Sequence, residues 1–212
     1  MSTYDSVNSK SSITSFCIGD DRLYIATRAW LLWLQGLFST REAGQYHWSD
    51  NDTETEILIY DQNPTATEKT GKRPFIVSSR GPVRWANTSR DQTLSRNFDG
   101  DQKKFSDIIM TNMTLTCVAK EGVEAQGLAY MIAKLIPVFK PTIMKAGRLH
   151  WIGNETQILP ETGHGQLIPG SSFPEWRAVQ LIVPFSIQDT ISAEKGFYNI
   201  LRAVKIHMGL SD

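Results

Sequence analysis

The chain has 212 residues, 41% hydrophobic and 21% charged, with Lys+Arg and Asp+Glu balanced at 22 each. That is enough length for one domain with a substantial core of its own. The zero net charge gives no global reason to expect nucleic acid or an anionic membrane as partner, and two cysteines, Cys17 and Cys117, outside any CxxC or Cys/His spacing, give no metal motif and favour a reducing compartment.

The polar, Ser-rich stretch 1–19 reads as a flexible arm without an apolar signal core, and 20–212 as a single α+β domain. Asp20 and Asp21 are good helix starters, and Leu23, Ala26, Trp30 and Leu34 recur at spacings of three and four. A helix over 21–38 with an aromatic-rich face follows. The acidic run Asp50, Asp52, Glu54 and Glu56 alternates with polar residues, which predicts carboxylates along one side of a strand leading into Ile57–Tyr60. A polar loop over 62–73 precedes a strand at 74–78, and Val83 and Trp85 resume a strand after a Gly81-Pro82 turn. Residues 86–104 carry few apolar side chains and read as a long basic loop that orders on assembly.

The clearest strand signal is 105–119. Ile109, Met113, Leu115, Cys117 and Ala119 share one parity against Asn112, Thr114 and Thr116. A helix over 122–136 with Ala125, Leu128 and Ile132 inward is expected to end at Pro137 and Pro141. Residues 148–159 read as a strand broken by a Gly153-Asn154 turn, and 160–175 as a second long loop. Val179, Leu181, Val183, Phe185 and Ile187 then alternate strictly, with Pro184 on the other parity demoting this strand towards a sheet edge or a bulge. Ser192 is placed to cap a last helix carrying Phe197, Leu201 and Val204. Strands not separated by regular helices favour a mainly antiparallel twisted sheet with helices packed on it and long polar loops, an α+β fold. No stretch approaches the ~18 apolar residues of a membrane span.

The sequence has no Walker loop, GxGxxG, HExxH or GxSxG, so no cofactor, metal or catalytic residue is assigned. His164, between Gly163 and Gly165, reads as an exposed loop histidine and is the base that an enzymatic alternative would have to use. Charge is more informative. Residues 1–61 carry 9 acidic and 4 basic side chains, and residues 62–104 carry 4 acidic and 9 basic. The expected interface pairs the acidic run Asp50, Asp52, Glu54 and Glu56 with a basic surface from Lys72, Arg73, Arg90, Arg96, Lys103 and Lys104 of a neighbouring copy or a stacked ring.

Four features together give a resemblance: the helix with Thr27-Arg28-Ala29-Trp30-Leu31-Leu32-Trp33-Leu34, the strand Ile108 to Thr116, the helix Glu124 to Ile136 and the strand Trp176 to Ile187. In this order and texture the chain resembles the tail terminator and neck, or head-to-tail connector, proteins of tailed bacteriophages. The resemblance implies a non-enzymatic virion subunit, made in the host cytoplasm. It would form a ring, usually a hexamer, that caps the tail tube protein and meets the connector or stopper protein. From the residues themselves, Arg90, Arg96, Lys103 and Lys104 lack the aromatic interleaving of a single-strand platform but could face DNA in a channel as a non-specific contact, and no membrane partner is expected. Another minor virion role, in head completion or the baseplate, is the nearest alternative. The family has no fixed functional residues to carry over.

Overall fold

The computed structural model describes residues 22–40, 46–51, 53–61, 73–86, 93–96, 102–167 and 175–194. The predicted arm, Asp52, the loop 62–72, Arg90 and the end of the chain beyond 194 lie outside the described residues.

The expected α+β architecture is what the structure has: an open, mostly antiparallel sheet with two long helices against one face. Helix α1, Arg22–Ser39, buries Ala26, Ala29, Trp30, Leu34, Leu37 and Phe38 along one side. This is the stripe the apolar spacing predicts. At its end the Ser39 and Thr40 hydroxyls donate to the carbonyls of Gly36 and Leu37, supplying acceptors of the last turn with donors. The chain returns with Trp48 N–H bonded to Phe38 O and enters β1, Leu58–Tyr60.

β1 runs parallel to β2, Phe75–Arg80, and the remaining pairings are antiparallel. The spine of the sheet is the pair β5, Gln102–Ala119, and β9, Arg177–Glu194. They stay in register over eighteen residues, from Gln102 opposite Glu194 to Ala119 opposite Arg177. β2, β3 (Arg84–Ala86) and β4 (Thr93–Arg96) follow one another along the outer side of β5. β6 (Trp151–Ile152), β7 (Gln157–Ile158) and β8 (Thr162–Gly163) do the same along β9.

The predicted parity holds along both spine strands. Ile109, Met113, Leu115, Cys117, Val179, Leu181, Val183, Phe185 and Ile187 are all buried in one cluster beneath the helices. Trp30 lies over this face, 6.5 Å from the Phe185 ring and edge-on to Trp33 at 5.8 Å. A smaller cluster occupies one end of the opposite face: Leu58, Phe75, Val77, Val118 and Ala178, with Leu167 and Trp176 against it.

Several expectations are corrected. Helix α2 runs Gly122–Gly147, through Pro137 and Pro141 rather than stopping there. Both prolines are exposed, so the carbonyls they leave without an N–H partner are on the water side. The turn beyond them holds buried Ile143 and buried Gly147, where an added Cβ would stand 3.1 Å from Leu149 and 3.3 Å from Ala29. By length and a mean hydropathy of 1.2 over eighteen residues, α2 also meets the composition of a membrane-crossing helix. On length and composition, the expectation that no stretch approaches a span is therefore corrected.

Of the basic stretch 86–104, expected as a loop, the described residues 86, 93–96 and 102–104 are strand, and the others lie outside the described residues. Trp85 to Ala86, Thr93–Arg96 and the first residues of β5 all pair in the sheet. Ser192, expected to cap a helix, lies within β9 opposite Lys104. Within the predicted loop 160–175, Thr162 and Gly163 pair with β9 and α3, the single turn His164–Leu167, follows.

Pro184 does not mark an edge either. β9 is interior, flanked by β5 and by β6 to β8. Gly153 N–H donates to Pro184 O at 2.8 Å, so the backbone of Pro184 faces the β6 side. In an antiparallel ladder N–H and C=O of one residue point the same way, so the missing donor falls opposite the short strands and the long pairing with β5 loses nothing.

Candidate functional site

The acidic run is a turn, not a strand. Asn51 organises it: its Oδ1 accepts from the Thr53 N–H and hydroxyl at 3.2 and 2.9 Å, and its carbonyl accepts from Glu54 and Thr55 N–H. Asn and Thr compete well for backbone groups in this way, which overrides the alternation read from sequence. Thr55 is buried and donates to Ile57 O at 2.7 Å. Asp50, Glu54 and Glu56 are exposed, and one Glu56 oxygen accepts from His47 N–H at 2.9 Å. The turn therefore offers Asp50 and Glu54 freely, while Glu56 also braces its base.

Its place in the fold follows from register. Leu58 is opposite Phe75, which is opposite Val118, so the turn stands at the Ala119 end of the spine. The start of α2, with Glu121 and Glu124, is at the same end. Tyr46 donates to a Glu124 carboxylate oxygen and joins the two segments. Burial first, then the bond to Glu124, pushes the Tyr46 pKa up to about 12.

At the opposite end the spine continues beyond the helix-covered core as a three-stranded ribbon of β4, β5 and β9. Arg96 is opposite Lys103, Lys104 is opposite Ser95, and Asp107 is opposite Asp189. Three of the expected basic residues, Arg96, Lys103 and Lys104, thus share neighbouring register positions. Fifteen residues separate Lys103 from Val118 along β5, roughly 50 Å at the rise of a strand. Arg73 is not with them. It sits at the acidic end, donating to Thr55 O at 3.0 Å. Lys72, Arg90 and Asp52 lie outside the described residues.

Sequence reasoning also missed a group of cations. Lys145 and Arg148 close α2, and Arg28 is exposed on the first half of α1. His150 N–H bonds Ser186 O, and Ser186 is opposite Met110, so this end of α2 points towards the ribbon. The signal was available as the order of charge within α2, Glu124 first and lysines last.

His164 is buried rather than exposed. Its ring meets Phe75 edge-on at 5.5 Å, and its backbone N–H donates to Trp176 O at 2.7 Å. Cys117 is enclosed in the core, where burial pushes its pKa up to about 12 and keeps it a thiol at neutral pH. Among the described residues no three His, Cys, Asp or Glu side chains converge as a metal site would require. Comparison with known protein families finds no model that matches the chain, and comparison with curated proteins finds no similar sequence.

Proposed function

We propose that this chain is a structural assembly subunit that joins copies of itself head to tail into a ring, and that the ring is a tail terminator at a phage neck. It would cap the tail tube and meet the head-side connector, without catalytic activity, and take its place in the virion after synthesis in the host cytoplasm. The observation carrying this reading is the polarity of the subunit along its spine. An exposed acidic turn with Asp50 and Glu54 stands at one end, and at the other the cations Arg96, Lys103 and Lys104 hold neighbouring register positions in a ribbon that also carries Asp107, Asp189 and Glu194. A ring needs two different patches on each copy that fit each other, and opposite charges at opposite ends suit that geometry. The ring's neighbours and its phage setting rest on the resemblance in element order and texture.

Exposed ion pairs contribute about 0–1 kcal/mol each, so charge mainly sets encounter rate and orientation. Asp50→Lys with Glu54→Lys spares the bracing role of Glu56. It is expected to slow assembly at low salt and flatten its salt dependence while leaving the fold intact. Stopped-flow light scattering would follow the rate, and electron microscopy of purified particles the ring. Assembly of the double variant at the wild-type rate would remove the electrostatic basis, and a chain found away from the neck in a virion map would remove the terminator role.

A further inference from the structure

The helical layer has an outer face that neither charged end uses, and both helices carry the same pattern on it. On α1 the exposed Tyr24, Arg28 and Leu32 follow one another four residues apart, and on α2 the exposed Tyr130, Lys134 and Val138 do the same. Residues four apart on a helix are neighbours, so each helix presents a ridge with a cation between two apolar side chains. Each cation rests on its own tyrosine. An Arg28 guanidinium nitrogen donates to the Tyr24 hydroxyl at 2.9 Å, and Lys134 Nζ lies 4.4 Å from the centre of the Tyr130 ring. Beside the first ridge, between α1 and the second half of α2, lies an apolar groove of ≈ 360 Å³ walled by Ile25, Leu32, Trp33 and Ile143.

The charge of this face has one sign. α1 has no Asp or Glu from Arg22 to Ser39, and the carboxylate within α2, Glu124, accepts from Tyr46. Glu121, exposed just before α2, falls by helical spacing with the buried Ala125, Leu128 and Ile132, and the exposed Asp61 stands on the other flank of α1 beside Thr27 and Gln35. Lys145 and Arg148 add two exposed cations at the end of α2. Among the described residues the ion pair formed is Arg177 with Glu161, and none of Arg28, Lys134, Lys145 and Arg148 has a carboxylate partner. Cations on a solvated helix are normally laced with carboxylates three or four residues away. Here that complement is missing from both helices.

We propose that this face takes an acidic amphipathic helix of a partner protein, whose apolar side chains enter the groove and whose carboxylates meet Arg28 and Lys134. Charge selects the sign of the occupant, because a second copy of the same face would set cation against cation. The walls select a helix. They are side chains of helices whose own backbone bonds are made, so an extended peptide would find no partners there for its N–H and C=O groups, whereas a helix brings its own. A lipid surface fits less well. It leaves the groove unfilled, and it takes cations on a polar face apart from the apolar one, whereas here each cation stands between two apolar side chains. Geometry allows one helix to meet both ridges. Ala29 lies beside Gly147 and Trp33 beside Phe139, so α1 and α2 run antiparallel and the ridges are staggered along the seam between them. From the level of Gly147 to Lys134 is about 20 Å at the rise of a helix, so a partner of about four turns reaches both cations. The site uses neither the acidic turn nor the ribbon and goes beyond the head-to-tail reading.

A display library of helices about twenty residues long, randomised over one face and selected on the full chain, tests it. Selected sequences are expected to carry Asp or Glu with an apolar residue three or four positions away, and a synthetic peptide of the most frequent one to bind less tightly as salt rises. Arg28→Glu with Lys134→Glu, both at exposed positions, should raise its dissociation constant about tenfold or more with the circular dichroism unchanged, and Leu32→Asp about as much. Selection repeated on the double variant should enrich lysine where the wild type enriches carboxylates. No enrichment on the wild type, enrichment without carboxylates, or binding that both variants leave intact overturns the proposal. So does wild-type binding to phosphatidylglycerol vesicles that the selected peptide does not displace. Asp50→Lys with Glu54→Lys should leave the peptide's affinity unchanged whether or not rings form, which separates this site from the head-to-tail contact. Loss of peptide binding in that variant would assign the site to the joined copies and overturn the proposal for the single subunit.

Discussion

β5 and β9 are the same two strands in two surroundings. From Ile109 to Ala119 and from Arg177 to Ile187, their odd-numbered positions are apolar but for Thr111 and Arg177, and α1 and α2 cover that face. From Gln102 to Asp107 and from Asp189 to Glu194 the same ladder carries Asp107 opposite Asp189, and Arg96 of β4 opposite Lys103. In the first half, a one-residue slip would turn the whole apolar set out to water, so burial fixes the register. In the second half, like charges at facing positions oppose pairing, and register is inherited from the covered half. One half is specified by its own side chains. The other is a continuation, the kind of segment a protein can spend on binding because its stability does not depend on it.

The sharpest way to break this contrast is in the covered half. Phe185 is buried, packs near Trp30 and faces Thr111 across the ladder. Phe185→Ala is expected to cost about 3–5 kcal/mol in urea unfolding. A loss below about 1 kcal/mol would mean that the helices do not anchor the spine there.

A smaller effect is expected where β6 meets β9. A Cβ at Gly153 would stand 2.5 Å from the Pro184 ring and 3.3 Å from its carbonyl oxygen. The ring is rigid and the carbonyl belongs to an interior strand. Gly153→Ala should therefore cost about 1–3 kcal/mol by overpacking, and an unchanged melting temperature would show that this flank yields easily.

The ribbon should respond in the opposite sense. Asp189→Thr removes one of two facing carboxylates and supplies a β-branched residue suited to a strand. It is expected to stabilise the ribbon by about 0.2–1 kcal/mol. Hydrogen exchange at the amides of 103–106 should slow while those of 113–117 stay unchanged. Equal slowing in both stretches would mean that the two halves open together and the contrast is false.

What could be read from the sequence divides along the same line. Parity found the apolar faces of β5 and β9 and the stripe of α1, because burial writes itself into residue type. It failed where something other than burial decides. Asn51 and its neighbours bend the acidic run through side-chain bonds to the backbone, a local competition that alternation cannot register. Thr93–Arg96 and Gln102–Lys104 are strand because they extend an existing ladder, and Pro137 and Pro141 stayed inside α2 because packing on both sides of them outweighs two missing bonds. His164 went from loop to core because Phe75 and Trp176, distant in sequence, enclose it. Of the residues expected at the interface, Asp50, Glu54 and Glu56 share one turn, Arg96, Lys103 and Lys104 hold neighbouring register positions beside Asp107, Asp189 and Glu194, and Arg73 lies against the acidic turn.

A last effect, comparable in size to that of the ribbon, lies in the contact that ties the acidic end to the covered half. Tyr46 donates to Glu124, and burial with that bond raises its pKa from 10.0 to about 12. Between those values the unfolded chain has lost the phenolic proton while the folded chain still holds it. The folded state binds more protons there, so this contribution is fully present below pH 10 and is lost as the pH rises towards 12. Tyr46→Phe deletes the titrating group together with the hydrogen bond. At pH 7 it should cost about 0.5–1.5 kcal/mol. Between pH 10 and 12 the stability of the variant should fall less steeply than that of the wild type, so the two curves converge. Lysines and the other tyrosines titrate in both proteins and cancel in the difference. Parallel curves across that window would mean that Tyr46 ionises as freely folded as unfolded, and that the acidic turn is not tied to α2 through it.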